Sequence, residues 1–152
     1  MEIVTSLQQG GAERIACDLA QFLPEHGVRS RLVSLGKPHR SVLPAPPETL
    51  DLSNWNYGER AVLLGEMAVA AGVDVLHVHL TDAAETRVLA ASGIPLMATV
   101  HNARRGWPRD WQSIQPGDVS LLLACSQSVE KELRETLPGI PVRTVWNGIQ
   151  PN

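Results

Sequence analysis

Short runs rich in β-branched residues and leucine alternate along the chain with stretches whose apolar residues recur at helical spacing. Residues 28–35, 73–79, 95–100, 119–125 and 142–146 read as strands, with 2–5 and 49–52 as weaker candidates. Several are apolar almost without a break, the pattern of parallel strands covered by helices on both faces. Between them, residues 12–23 place Ile15, Ala16, Leu19, Ala20 and Leu23 on one helical stripe, and Pro24 and Gly27 end it. A second helix over 58–71 stops at Gly72. A third over 82–92 opens on Asp82 and Glu85 in the manner of a capping box and stops at Gly93. A fourth over 128–137 begins at Ser128, with Glu130 and Glu132 suited to its positive end. The proline-rich stretch 36–48 is a loop. This alternation predicts βαβ units: an α/β, doubly wound, mainly parallel sheet of six to seven strands, helices on both faces, in one domain over 1–152.

Composition narrows the function classes. The chain has 152 residues, 43% apolar, enough to bury a core and too apolar for disorder. Its 13 Lys+Arg against 16 Asp+Glu argue against nucleic acid as a partner. Two cysteines, Cys17 and Cys125, lie in apolar segments and fit a reduced, cytoplasmic setting as small buried residues. The longest apolar run, 121–125, is far short of a membrane span, and residues 1–4 do not start a signal peptide. Peripheral contact with a membrane stays open.

In an open parallel sheet, ligands bind outside the carboxyl ends of the strands. The residues after each predicted strand are polar: Ser6 to Gly11 after the first, then His79, His101-Asn102, Ser126-Gln127-Ser128 and Asn147-Gly148. The opposite edge is plainer, with Gly27-Val28, Gly72-Val73, Gly93-Ile94 and Gly139-Ile140. Gly10-Gly11, between strand and helix, permits positive φ and close approach of an anion to a helix N-terminus, although it is neither GxGxxG nor a Walker loop. His77 and His79 alternate and so share a face. No cysteine or carboxylate stands near them in sequence at a metal-ligand spacing, and no metal is expected. His77 reads as a hydrogen-bonded core residue, His79 as able to reach the cleft, and His101 as a donor or proton shuttle, or else a loop-ordering group. Arg104, Arg105, Trp107, Arg109 and Trp111 crowd one segment. The mixture suits an exposed flap on a membrane or lipid-linked acceptor, carbohydrate stacking, or simple packing.

The strings Thr5-Ser6-Leu7-Gln8-Gln9-Gly10-Gly11-Ala12-Glu13-Arg14, Asp74-Val75-Leu76-His77-Val78-His79, Thr99-Val100-His101-Asn102, Ala124-Cys125-Ser126-Gln127-Ser128 and Val145-Trp146-Asn147-Gly148-Ile149 occur in this order. Together they resemble the N-terminal domain of family 4 (group 1) glycosyltransferases over nearly the whole chain. The resemblance implies a Rossmann-like domain that faces a second one across a cleft, the GT-B arrangement. It implies transfer of a sugar from a nucleotide-sugar donor to a glycan, lipid-linked or small-molecule acceptor, with retention and without cofactor or metal. Gly10 and Gly11 would approach the donor phosphates and His101 would act catalytically on the donor sugar. His79, Asn102, Ser126 and Asn147 would line the cleft, and Asn147-Gly148-Ile149 would start the interdomain connection. The first strand is shorter than usual and the chain stops at Pro151-Asn152, before the donor-binding half. On that expectation the chain alone is inactive and works at the inner face of a membrane or in the cytoplasm. A noncatalytic Rossmann-like binding module is the alternative.

Overall fold

The computed structural model describes residues 1–39 and 41–148. Seven strands, β1 (Glu2–Ser6), β2 (Leu32–Gly36), β3 (Leu50–Asp51), β4 (Leu76–His79), β5 (Leu96–Val100), β6 (Leu121–Ala124) and β7 (Val142–Thr144), form one sheet in the order β3-β2-β1-β4-β5-β6-β7. Every pairing is parallel. Four α-helices connect them: α1 (Gly11–Phe22), α2 (Tyr57–Ala70), α3 (Ala83–Ala90) and α4 (Gln127–Thr136). The α/β class, the strand number and helices on both faces agree with the sequence reading. The strand order reverses between β1 and β4, which puts a crevice at their carboxyl ends.

The registers separate the two faces. Ile3, Val33, Leu35, Val78, Ala98, Val100, Leu122 and Val142 build the larger core with residues of α2, α3 and α4. On the other face Val4 and Leu32 pack under Ala16, Cys17 and Ala20 of α1. Glu2 pairs with His77 and Val4 with His79, and β4 carries the same face on to Met97 and Thr99. A polar strip therefore runs across the α1 side of β1, β4 and β5.

Several element boundaries and faces differ from expectation. The weak candidate 2–5 is β1, an interior strand bonded on both sides. The run 28–35 pairs only from Leu32, because β1 offers it a neighbour from Glu2 onward. Helix α1 buries Ala12, Ala16, Cys17 and Ala20, leaving Ile15, Leu19 and Leu23 half-buried. Alanines let the helix approach the sheet closely and shift the larger side chains to its flank. Pro24 does not stop the chain's winding. It occupies the first turn of a 3-10 helix, Leu23–His26, where its missing N–H costs nothing, and Gly27 at φ 78° ends the coil. The cap of α4 is Ser126, not Ser128: its Oγ accepts from the Val129 N–H at 3.3 Å. At α3 only half of the capping box closes. Asp82 accepts from the Glu85 N–H at 3.0 Å, while the Glu85 carboxylate turns to Arg60 at 2.6 Å.

Candidate functional site

The crevice between β1 and β4 is framed by two turns. After β1 the chain reaches Gly10, whose φ of −157° and ψ of 166° are extended, and Gly11 opens α1. Neither glycine is left-handed, so the expectation of positive φ is corrected. At Gly10 a Cβ would meet Glu13 Oε2 at 2.3 Å, so any other residue there would have to push that carboxylate aside. At Gly11 a Cβ would meet nothing within 4 Å. Gly10 brings no capping side chain to α1, and the buried carboxylate of Glu13, in the first turn, lies against it.

After β4 the chain turns at Leu80, whose φ of 62° is a conformation leucine rarely adopts. Its surroundings over-determine it. Trp111 Nε1 donates to the Thr81 carbonyl at 2.5 Å, Thr81 Oγ1 and Thr86 Oγ1 lie 2.9 Å apart, and Asp82 caps α3. Strain held this firmly at a topological switch point is characteristic of binding loops.

The polar strip converges on one carboxylate. Glu2 Oε2 accepts from His79 Nε2 at 3.0 Å and lies 2.7 Å from His77 Nδ1. The far nitrogen of His77 lies 2.7 Å from Thr99 Oγ1, and that of His79 lies 3.0 Å from His101 Nε2. The His77 and His79 ring centroids are 4.2 Å apart. Glu2, His77 and His79 are buried and His101 is half-buried at the carboxyl edge of β5. His77 is thus the core histidine expected. His79, with 0% exposure, does not open to the cleft; it meets it through His101. The backbone of His101 is also held, its carbonyl accepting from Cys125 Sγ at 3.3 Å. Cys17 is buried and Cys125 half-buried.

Glu2, His77 and His79 also offer ligand atoms within 4.8 Å of one another, a trio that could hold a metal ion. The sequence showed no carboxylate beside the histidines because Glu2 arrives from another strand. His79 is already hydrogen-bonded to Glu2, His77 stands 2.7 Å from the same carboxylate oxygen, and the trio is sealed in the sheet. Burial pushes the Glu2 carboxyl up, but the bonds and attraction from both imidazoles outweigh it and hold it at about 2. Burial likewise lowers His79, against the pull of Glu2. Burial, with repulsion from His79 and His77, pushes His101 down to about 4.

Neutral histidines in the fold bind fewer protons than in the unfolded chain once the pH falls below 6.5, so stability must fall with pH there. For His101 the loss runs from 6.5 down to about 4, and Glu2 adds a second loss from 4.5 toward 2. Urea unfolding at pH 7.5, 6 and 5 should therefore show a loss of about 1–2 kcal/mol by pH 5. Stability that stays flat over that interval would contradict a neutral buried pair.

The arginine–tryptophan segment is not a free flap. Trp111 has 1% exposure and belongs to the core. A turn of 3-10 helix, Trp111–Ser113, folds it back under the sheet, and burying its ring outweighs exposing it. Trp107 is half-buried, its Nε1 donating to the Asn102 carbonyl at 3.2 Å. The segment is pinned twice more: Arg104 N–H to Glu132 at 2.7 Å, and Arg109 to Asp82 at 2.6 Å and to the Tyr57 hydroxyl at 2.7 Å. Arg104, Arg105 and Asn102 remain exposed at its outer face. Ser126 is half-buried and engaged as a cap, and Asn147 is exposed after β7 beside Trp146. Ile149, Pro151 and Asn152 lie outside the described residues.

Sequence reading missed Glu2, Thr99, Tyr57 and Arg60. Arg60 bonds Glu85 at 2.6 Å and the Leu35 carbonyl at 3.1 Å, tying α2 to α3 and to the end of β2. Tyr57 donates to Asp82, and burial and that carboxylate push its hydroxyl up to about 12. The one available signal was Glu2 itself, a charge at the start of an otherwise apolar strand, which is buried only when paired.

Residues 9–152 match the family model of Glycosyltransferase Family 4, a span that takes in every helix of the fold. Among curated proteins no match is found.

Proposed function

We propose that this chain, which belongs to Glycosyltransferase Family 4, is the acceptor-side, Rossmann-like half of an enzyme that moves a sugar from a nucleotide-sugar donor to a glycan, lipid-linked or small-molecule acceptor with retention. The observation that carries the reading is His101. It stands at the carboxyl edge of a central strand and is held from behind by the buried His79–Glu2 pair.

Breaking the bond between the anomeric carbon and the diphosphate builds positive charge on the sugar and negative charge on the departing phosphate. The N-terminus of α1, behind Gly10 and Gly11, would turn its backbone N–H groups toward that phosphate. His101, fixed two strands away on the same edge, meets the sugar. Preorganised groups of this kind lower a barrier because they need not reorient as charge develops. Asn102 and Asn147 offer polar groups on the acceptor side, with Ser126 behind them, and a second domain beyond Asn147-Gly148 would supply most of the grip on the nucleotide.

Exposed Arg104 and Arg105 give the outer segment the charge for an anionic membrane surface, and Trp107 is the aromatic residue that remains partly accessible there. Among the described residues no helix is long and apolar enough to cross a membrane; the contact proposed for this segment is peripheral, at the inner face.

Calorimetric titration of the 152-residue chain with UDP- and GDP-sugars tests the division of labour. We expect dissociation constants of about a millimolar or weaker, about −4 kcal/mol. A micromolar constant for the chain alone would overturn the assignment of donor binding to another domain.

A further inference from the structure

We infer that Glu2, acting through His79, decides which nitrogen His101 offers its ligand: Nε2 carries the proton, and the free Nδ1 is a hydrogen-bond acceptor for a sugar hydroxyl. The ligand's identity rests on the transferase reading above, whereas the proton assignment rests on bonds inside the protein.

The assignment comes from counting donors. An ionised carboxylate only accepts, so His79 Nε2, bonded to Glu2 Oε2, carries a hydrogen, and His77 Nδ1, 2.7 Å from the same oxygen, carries one too because a bare nitrogen there would set lone pair against lone pair. A neutral imidazole has one N–H. His77 Nε2 is therefore bare and accepts from the Thr99 hydroxyl at 2.7 Å. His79 Nδ1 is bare too, so the 3.0 Å contact with His101 must be filled by a hydrogen on His101 Nε2. That leaves His101 Nδ1 with a lone pair. No protein group among the described residues bonds it, and it is not among the buried polar atoms left without a partner, so it is open to solvent.

With His79 and His101 neutral and Glu2 ionised, no other arrangement satisfies both contacts of the chain from Glu2 through His79 to His101. Reversing the chain requires either a proton on Glu2 or a positive charge on a sealed ring. Burial opposes the second, and the carboxyl's low proton affinity opposes the first. One charge at the start of β1 is thus read out two imidazoles away, at the carboxyl edge.

The chemical consequence is selective. A bare nitrogen accepts from a hydroxyl but repels the lone pairs of an ionised phosphate oxygen, which brings no hydrogen at neutral pH. His101 is therefore matched to the sugar, and the departing phosphate is left to the N–H groups of α1. This replaces the sequence-based view of His101 as a donor. Glu2 and His79 are positioning residues in this scheme.

Long-range proton–nitrogen NMR on the 15N-labelled chain at pH 7.5 reads each ring's tautomer with no ligand present. The expected result is Nδ1–H on His77 and Nε2–H on both His79 and His101. Nδ1–H on His101, or Nε2–H on His77, would overturn the inference. In Glu2→Met, with no acceptor at the hub, the chain should reverse and His101 should show Nδ1–H. A folded Glu2→Met protein whose His101 keeps only Nε2–H would also overturn it. Should circular dichroism show that Glu2→Met does not fold, His79→Phe cuts the connection alone. His77 should then keep Nδ1–H while His101 shows both tautomers, and an unchanged single tautomer counts against Glu2's control. Adding millimolar UDP-glucose to the wild-type chain probes the transferase reading separately. Movement of the His101 Nδ1 signal supports a sugar at this nitrogen, and silence there sinks that contact whatever the tautomers are.

Discussion

His101→Ala in the intact transferase is expected to lower turnover roughly 10²–10³-fold, the usual cost of removing one preorganised group from a site where charge develops. Stability should change little. The ring is half-buried, and its loss removes one hydrogen bond to His79, worth about 1 kcal/mol. The competing role, ordering the loop after β5, predicts the opposite pair of results: a lower melting temperature and turnover within a few-fold of normal. Measuring turnover and thermal unfolding on the same preparation separates the two. A stable variant with near-normal turnover would remove His101 from the chemistry.

Trp111→Ala should have the largest effect on folding, about 3–5 kcal/mol, the range for emptying the site of a buried aromatic side chain. The ring has 1% exposure, sits in the main core with Ile114 and Val119, and bonds the Thr81 carbonyl. A domain of this size is stable by only about 5–15 kcal/mol, so the variant should unfold at much lower urea. Trp107→Ala should cost far less, since that ring is half-buried. Trp111→Phe should fall between them, restoring most of the volume but leaving the Thr81 carbonyl unpaired, at about 1–3 kcal/mol. Equal midpoints for Trp107→Ala and Trp111→Ala would refute this packing. Because Trp111 braces the Leu80 turn, its loss should also loosen the crevice at β1 and β4.

Much of this architecture was legible in the hydrophobic pattern, for a physical reason. Strands such as β5 and β6 are apolar over most of their length and stand out against amphipathic helices, although on the α1 side Met97, Leu121 and Leu123 stay half-buried. Strand ends were less legible, because pairing sets them: 28–30 read on from the strand without a paired neighbour, and Arg31 meets β1 only through its carbonyl, which accepts from the Glu2 N–H at 2.9 Å. The side of α1 that is buried was misjudged because packing distance, and not only hydrophobicity, chose the alanines. The polar edge was visible in the residues just past each strand, and His101 with it. Glu2 was hidden for a different reason. Its partners His77 and His79 are 75 or more positions away in sequence, and only the adjacency of β1 and β4 brings them together. Trp111 misled because tryptophan among arginines reads as a surface, and only the fold shows one ring turned inward and the other held at the rim.

The most direct test of where this protein meets its donor is a map of backbone amide shifts in the 15N-labelled chain titrated with UDP- and GDP-sugars into the millimolar range. A site at the carboxyl edge of β1 and β5 predicts movement at Gly10, Gly11, Ala12 and His101, with the amino edge around Gly72 and Gly93 unchanged. Shifts centred on that opposite edge, or none at the Gly10–Gly11 turn and His101 at any concentration reached, would contradict it.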